Sequence, residues 1–371
     1  MRVRTQLKDI VSFSKGKQIN GEELLVSGKY DYLNGGVLPS GKWNKYNTAG
    51  ETVTISEGGN SCGFVNFMEK PFWCGAHCYY LFEPKINAKY LYYALKSKQS
   101  NLMKIRSGAC MPNIKKNDLG KFKIVYDTDS DEQFKTIKVL DTVSLMIVAC
   151  QKQLQKLDEL VKSRFIEMFG TLSSNEQNFK VLTIESLCSL IKDGTHQTPT
   201  YTEDTINGFK FLSSKDVMSK KIDWSDIKYI PSDLHEKLYA VVKPIKNDIL
   251  MSKNGVNYGV AAVNDTDEVF DIYVSLALLR PKIDIINPVY FRSAINSPDT
   301  KRQFDSSIKG IGVPNLHLGE IKKTKILVPP VDKQNEYVSF VEQVDKSKIA
   351  VQQALDKAQL LFDSLMQKYF G

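Results

Sequence analysis

The segment SGACMPNIKKNDLGKFKI, residues 107–124, returns later in the chain as KGIGVPNLHLGEIKKTKI, residues 309–326. Within these segments, Pro112-Asn113 matches Pro314-Asn315 at a spacing of 202 residues. Beyond them, Gln133 matches Gln334 and Phe169-Gly170 matches Phe370-Gly371, both at a spacing of 201. Because self-similarity at a fixed spacing marks a repeated structural unit, the sequence predicts a duplication.

The two halves also resemble each other further upstream. TISEGGNSCGFV, residues 54–65, matches LMSKNGVNYGVA, residues 250–261, so that Gly59 matches Gly255 and Gly63 matches Gly259. These parts are rich in Val, Ile, Tyr and Phe and are interrupted by clusters of Gly, Pro, Asn and Asp. This composition is typical of short strands joined by elaborate turns.

A long polar segment follows each globular part. Residues 131–168 contain no Gly or Pro, and apolar residues recur in steps of three and four, as in a coiled coil. The predicted seam consists of Leu140, Val143, Ile147, Cys150, Leu154, Leu157 and Val161 in the first copy and Val341, Val344, Lys348, Val351, Leu355, Ala358 and Phe362 in the second. Predicted end signals are a Ser130-x-x-Gln133 capping box, Pro329-Pro330 before the second helix, and Gly170 and Gly371 as stops.

The sequence therefore predicts an α+β protein in which two strand-rich globular domains are separated by two long helices. The predicted boundaries are 1–128 for the first domain, 129–170 for the first helix, 171–330 for the second domain and 331–371 for the second helix. Since each helix carries the chain away from the domain before it, the two helices pair as an antiparallel coiled coil with one domain at each end. About 38 helical residues span roughly 57 Å. For comparison, one turn of a DNA double helix is about 34 Å long.

Composition narrows the class of protein. The 371 residues include 42% hydrophobic and 25% charged residues, as in a globular protein, and carry a formal net charge of +8, which suits a polyanionic partner. No apolar run is long enough to span a bilayer, and the start of the chain lacks a secretory signal, so we expect a cytoplasmic protein without membrane contact. The six Cys residues lack a framework spacing and are expected to be reduced.

The order of domain, helix, domain, helix resembles that of specificity subunits of type I restriction-modification systems. Three segments share the resemblance: VPNLHLGEIKKTKILVPPVDKQ (313–334), NDILMSKNG (247–255) and IKDGTHQTPTY (191–201). The resemblance implies that each globular part is a target recognition domain that binds one half of a bipartite site on double-stranded DNA. It also implies that the helices hold two methyltransferase subunits, which bind S-adenosylmethionine, with or without restriction subunits. The first copy departs from the family in having VYDTDSDEQ (125–133) in place of the double proline.

A catalytic function of the chain itself is one alternative to a DNA-binding specificity subunit. A self-contained DNA methyltransferase or nuclease would need catalytic residues, but no Asn-Pro-Pro-Tyr-like adenine methylation motif is found. Cys62, Cys74, His77 and Cys78 offer soft ligands for zinc, although the spacing is loose and the second domain has no counterpart. We therefore predict no catalytic residue, no metal and no cofactor in this chain. A coiled-coil adaptor without DNA sequence preference is the other alternative.

Polar and aromatic residues on Gly-rich turns are the candidates for reading bases, because contacts with base edges specify sequence. In the first domain they are Lys42, Trp43, Lys45, Tyr46 and Asn47. In the second they are Lys192, Thr195, His196, Gln197, Lys253, Asn254, Asn257 and Tyr258.

The helices are expected to set the gap between the two half-sites. Adding one heptad near Gln151 and one near Gln352 lengthens both helices by about 10 Å, or roughly three base pairs. We expect a methylation map of cells carrying this variant to show unchanged half-sites separated by a longer gap. The affinity should fall, because three base pairs also rotate one half-site around the duplex. An unchanged gap would show that the spacing is set elsewhere.

Overall fold

The computed structural model describes residues 1–108, 112–308 and 314–371. Residues 109–111 and 309–313, which belong to the predicted repeat, lie outside the described residues. The chain divides into unit 1, residues 1–153 with 351–371, and unit 2, residues 154–350. Two long helices, α4 (Ser130–Phe169) and α10 (Val331–Phe370), contribute residues to both units.

Unit 1 contains short strands around a small set of helices. Its strands are β1 (Arg2–Gln6), β2 (Ser12–Lys15), β3 (Tyr30–Leu33), β4 (Gly41–Trp43), β5 (Thr52–Ser56), β6 (Val65–Met68), β7 (Trp73–Cys74), β8 (Cys78–Phe82) and β9 (Lys123–Asp127). Its helices are α1 (Ala88–Ser97), α2 (Gln99–Lys104) and α3 (Lys116–Lys121), followed by α4 (Ser130–Phe169), of which the first part belongs to this unit.

Unit 2 repeats this arrangement. Its strands are β10 (Lys180–Thr183), β11 (Cys188–Asp193), β12 (Phe209–Leu212), β13 (Lys228–Ile230), β14 (Ile249–Ser252), β15 (Ala261–Val263), β16 (Phe270–Ile272), β17 (Leu276–Pro281) and β18 (Lys325–Val328). Its helices are α5 (Ile184–Leu187), α6 (Ser232–Tyr239), α7 (Pro288–Ile295), α8 (Pro298–Ser307) and α9 (Leu318–Lys323), followed by α10 (Val331–Phe370).

The sheets of the two units have the same topology. The four-stranded sheets have the orders β2-β8-β5-β6 and β11-β17-β14-β15, and all their neighbours are antiparallel. The three-stranded sheets, β4-β3-β7 and β13-β12-β16, each contain one parallel pair. An antiparallel pair, β1 with β9 or β10 with β18, completes each set. The predicted internal repeat and the α+β class are confirmed.

Each unit packs a part of α4 against a part of α10. In unit 1, Leu140 near the start of α4 shares a buried core with Met366 and Phe370 at the end of α10. In unit 2, Phe165 near the end of α4 shares a core with Val341 near the start of α10. The start of each helix therefore lies beside the end of the other, which confirms the antiparallel pairing.

None of the predicted seam positions is fully exposed. Leu140, Val143, Val341 and Val344 are buried, whereas Ile147, Cys150, Leu154, Leu157, Val161, Val351, Leu355, Ala358 and Phe362 are half-buried. Lys348, the polar position of the stripe, pairs with Asp158 on α4. The half-buried positions match a narrow seam between two helices, which shields each side chain on one side only.

A buried glutamine links each long helix to the globular part before it. Gln133 Oε1 accepts from Asn87 N at 3.0 Å, and Gln133 Nε2 donates to Asp127 O at 2.7 Å. In unit 2, Gln334 Oε1 accepts from Asn287 N at 2.8 Å, while Nε2 donates to the carbonyls of Pro329 and Ile285. We call this arrangement the amide clasp, and it explains why the two glutamines match in the repeat.

The predicted capping box at the start of α4 is wrong. Asp129, one residue earlier, accepts from the backbone N–H of Asp131 at 2.8 Å and that of Glu132 at 3.4 Å. The Gln133 side chain is used in the amide clasp, so it is not free to close a box with Ser130. The other end signals agree with the structure: α10 begins directly after Pro330, and Gly170 follows α4 with a φ of 69°.

The repeated Phe-Gly pair also has a structural role. The Phe370 ring lies 5.1 Å from the Tyr90 ring in unit 1, and Phe169 lies 4.9 Å from Tyr290 in unit 2. Tyr90 lies on α1 and Tyr290 on α7, the helices that the amide clasp contacts.

In the described part of the chain, no helix is both long and apolar enough to cross a membrane.

Replacing Gln334 by Leu should destabilise the protein strongly. The change leaves Asn287 N and the carbonyls of Pro329 and Ile285 without their side-chain partner in the interior. Each unsatisfied buried group costs about 1–3 kcal/mol, so we expect a clear drop in the unfolding temperature. The control is Gln343→Leu, the same change at an exposed position of α10. Equal unfolding temperatures for the two variants would contradict the role of the clasp.

Candidate nucleic-acid interface

The first candidates in unit 1 lie on β4. Trp43 pairs with Tyr30 of β3, and Lys42 pairs with Asp31. Lys42 Nζ donates to Asp31 Oδ1 at 2.9 Å, but both side chains remain nearly half exposed. Because an exposed ion pair contributes little to stability, the Lys42 ammonium can exchange this carboxylate for a phosphate at low cost.

Aromatic rings and ammonium groups alternate next to β4. Tyr46 is exposed, and its ring lies 5.1 Å from that of Tyr30, while Lys29 Nζ lies 5.3 Å from the Tyr30 ring. Lys45 is exposed on the same loop. Lys29 and Tyr30 were not predicted from the sequence, because they come before the candidate turn and approach it only through the pairing of β3 with β4.

Asn47 has a different role from its neighbours. Its Nδ2 donates to Cys74 O at 3.0 Å, and its Oδ1 accepts from Cys74 N at 2.7 Å and from Thr48 Oγ1 at 2.9 Å. The amide thus acts as a bridge between the loop and β7. These bonds engage both ends of the side chain, so Asn47 fixes the loop that presents Lys45 and Tyr46.

In unit 2 the turn after β11 presents His196 and Gln197. Gly194 permits this turn, since a Cβ there would lie 2.2 Å from Ile272 O. Thr195 N donates to Ile272 O, and Thr195 Oγ1 accepts from Gln197 N at 3.1 Å. The Thr195 hydroxyl therefore orders the turn, while His196 is largely exposed and Gln197 is exposed.

The two lysines of this region are not equivalent. Lys253 is 5% exposed, and its ammonium forms an ion pair with Asp193 at the end of β11. The pair connects the turn after β11 to the loop after β14, so Lys253 is a structural residue here. Lys192 is exposed, and its Nζ donates to Val241 O at 3.1 Å.

A repeated contact shapes the glycine loops. Gly59 N donates to Pro112 O, and Gly255 N donates to Pro314 O, both at 3.0 Å. Gly59 and Gly255 have φ values of 74° and 85°, which side chains rarely tolerate. The two motifs that the sequence repeats are therefore in contact in both units, and this contact fixes the path of each loop.

The loop after β14 carries exposed polar side chains. Asn254 and Asn257 are exposed on either side of Val256, which is 83% exposed. Tyr258 is held back: its hydroxyl donates to Asp305 Oδ1 at 2.6 Å, and Lys301 Nζ lies 3.5 Å from the ring. Among the described residues, no hydrogen bond engages the side chain of Asn254 or Asn257, whereas Tyr258 anchors the loop to α8.

A buried pair supports the turn after β11. His235 Nδ1 and Asp271 Oδ2 lie 2.7 Å apart, and the His235 ring stacks on Phe209 at 3.6 Å. Burial raises the pKa of the Asp271 carboxyl, and the His235 contact opposes this shift. Asp271 also lines a recess of about 390 Å³ beside His196. This pair was not predicted from the sequence, since no local motif links residues from separate elements.

The cysteines considered for zinc are buried as free thiols. Cys62 Sγ donates to Glu57 O, and Cys74 Sγ donates to Cys78 O. Burial raises the pKa of the Cys62 thiol. His77 lies at the surface, 3.4 Å from Glu57. Within residues 1–108, 112–308 and 314–371, no three His, Cys, Asp or Glu residues are grouped as a metal site would require.

Comparison with known sequences gives a consistent result. The family model for "Type I restriction modification DNA specificity domain" matches residues 3–159 and 176–360. A putative type I specificity subunit of Mycoplasma genitalium is 35% identical over 141 residues, which are 36% of this chain and 37% of that protein. The chain thus spans less than two fifths of that relative. The specificity subunit of the Methanocaldococcus jannaschii type I restriction enzyme MjaVIII is 22% identical over 365 residues, 92% of this chain and 85% of that protein.

Two solved structures share the fold. A type I restriction-modification S subunit from M. genitalium superposes with a TM-score of 0.66 at 20% identity, covering 100% of this chain and 96% of that one. A chain from a study of assembly and conformational transition of the type I system gives 0.58 at 14% identity, covering 99% and 97%. Since the family model covers both globular parts and most of both long helices, the chain belongs to the type I restriction-modification DNA specificity family.

Proposed function

We propose that the chain recognises a bipartite target on double-stranded DNA, one half with each globular part, and that α4 and α10 hold two methyltransferase subunits. The observation that carries this proposal is the duplicated arrangement of sheets in the two units, which we call the frame. Two sets of sheets with one topology present different exposed side chains on their turns. A duplicated frame with different contact residues suits a target with two unlike halves. Residues 1–128 and 171–330 are the proposed recognition domains.

The exposed turn residues are the proposed base readers. In unit 1 they are Lys45 and Tyr46, with Lys42 and Trp43 beside them on β4. In unit 2 they are His196 and Gln197 on one turn and Asn254 and Asn257 on the next. Asn and Gln can bond adenine in two places, and Lys can contact guanine or a phosphate. The frame residues Asn47, Lys253 and Tyr258 hold these loops in place.

The chemistry is assigned to the partners. Members of this family are the non-catalytic specificity components of restriction-modification complexes. S-adenosylmethionine and methyl transfer then belong to the methyltransferase subunits, with or without restriction subunits to cut the DNA. We place this complex, as part of the proposal, on DNA in the cytoplasm.

The outer faces of the long helices are the proposed docking surfaces. In unit 1, Leu145 of α4 is 68% exposed and Leu360 of α10 is 71% exposed. Met146, Val148 and Leu361 are exposed near them in sequence, and unit 2 has Leu160, Ile166 and Ile349. Apolar side chains concentrated on exposed helix faces favour a protein partner, because burying them releases ordered water and stabilises the complex.

Alanine variants of the turns should each affect one half-site. His196→Ala with Gln197→Ala should relax one half of the methylated sequence, and Lys45→Ala with Tyr46→Ala should relax the other. Loss of a good contact to a base costs about 1–3 kcal/mol of discrimination, which a methylation map of cells expressing each variant would resolve. Gln352→Ala, on an exposed part of α10, is the control.

The pattern of the changes decides between the functions. Relaxation of both halves by one double variant would contradict independent recognition. A methylation pattern without any sequence preference for the unchanged protein would favour the coiled-coil adaptor instead.

Charged substitutions on the helix faces should release the partner. Leu145→Asp and Leu360→Asp each place a carboxylate on a proposed apolar contact, so we expect co-purification with the methyltransferase to fall sharply. The unfolding temperature of the free chain should stay the same, because both side chains are exposed. Gln151→Asp, at an exposed position of α4, is the matched control. Full retention of the partner by both leucine variants would place the docking surface elsewhere.

A further inference from the structure

Unit 2 contains a cavity of about 590 Å³ that the proposed function does not use. It is open to solvent on one side and is lined by the last turns of α4, the first half of α10, α7, the start of α8 and the segment just after residues 214–217. Its apolar walls include Val161, Phe165, Met218 and Val341. No proposed base reader lines it. Cavities of roughly 300–1,000 Å³ with apolar walls and a few polar groups are typical of small-molecule sites.

Positive charge dominates the polar part of this lining. Six basic residues face two acidic ones. Three of the lysines already have partners: Lys348 pairs with Asp158, Lys221 with Asp345, and Lys301 with Asp305. In the described part of the chain, no ion pair engages the other three cations, which are Lys162, Lys220 and Arg292. The cavity therefore carries charge that an anion would neutralise.

One cation of the wall, Arg292, lacks a hydrogen-bond partner for its guanidinium among the described residues. Burial lowers the pKa of this group. Asn296, by contrast, is already bonded to both the N–H and the carbonyl of Ala261. A buried donor left unpaired is costly, so Arg292 favours a ligand that would accept from it.

Unit 1 shows that the frame does not require this cavity. Asn87 and Tyr90 match Asn287 and Tyr290 at a spacing of 200, which places Tyr92 and Tyr93 where unit 2 has Arg292 and Ser293. The Tyr93 hydroxyl donates to Asp141, and the Tyr93 ring lies 6.3 Å from Phe362. The Tyr92 ring packs against Phe67 at 5.7 Å. Two packed aromatic residues thus occupy the place where unit 2 has Arg292 and Ser293.

We propose that this cavity binds a nucleotide, with its phosphates at Arg292, Lys162 and Lys220 and its base against the apolar wall. Three free cations match a multiply charged phosphate group better than a single carboxylate. The apolar wall and the volume suit a flat organic part. The proposal is independent of base reading by the turns.

The test is isothermal titration of the full chain, without DNA, with ATP, GTP, AMP, GMP, pyrophosphate and inorganic phosphate. We expect saturable one-to-one binding of at least one nucleotide. The double variant Lys162→Glu with Lys220→Glu, and separately Arg292→Gln, should weaken it roughly tenfold or more, as expected for losing a charge-assisted hydrogen bond. Lys162 and Lys220 are exposed at the edge of the cavity, so the lysine variants test the site even if the Arg292→Gln variant does not fold. Arg302→Gln, on α8 and outside the cavity lining, should bind like the unchanged chain.

Three results would overturn the proposal. The first is no binding of any nucleotide. The second is binding of inorganic phosphate or pyrophosphate as tight as that of the nucleotides, because the apolar wall would then contribute nothing. The third is unchanged nucleotide affinity in the lysine double variant. If that variant instead weakened DNA binding by the complex with methyltransferase subunits, without any nucleotide binding, the basic groups would be assigned to the DNA backbone.

Discussion

One buried glutamine side chain fastens each long helix to the globular part that precedes it. Gln133 and Gln334 each accept from the capping residue of a crossing helix and donate to the strand or loop before their own helix. An amide serves this junction because it offers a donor and an acceptor at once. The direction in which each helix leaves its globular part depends on these bonds.

The helices complete the globular parts as much as they connect them. Phe370, at the far end of α10, packs on Tyr90 in unit 1, and Phe169, at the end of α4, packs on Tyr290 in unit 2. Each core therefore uses residues from both long helices. Pairing of the helices and completion of the two cores are then coupled, because Tyr90 is packed only when the end of α10 lies against it, and Tyr290 only when the end of α4 does.

The frame and the recognition loops obey different constraints. The frame uses backbone bonds such as those from Gly59 and Gly255 to the repeated prolines, at positive φ values that glycine adopts without strain. The turn residues between these fixed points are free to differ. His196 and Gln197 therefore stand where the matching turn of unit 1, after Gly16, has Gln18 and Ile19, while the sheets beneath keep one topology.

The sequence by itself determined the duplication, the two long helices with their seam and stops, and the strand-rich domains, since these follow from local periodicity and repeated segments. The family was indicated by resemblance to known specificity subunits. Only the tertiary structure decided which polar side chains are exposed and unpaired, and so able to contact a ligand such as DNA. Asn47 and Lys253 are of residue types that commonly contact bases. Asn47, however, bridges to β7, and Lys253 pairs with Asp193. Arg292 lines a cavity that no sequence motif indicates. The physical reason is that burial and ion pairing depend on partners far apart in the chain, and a local pattern carries no information about them.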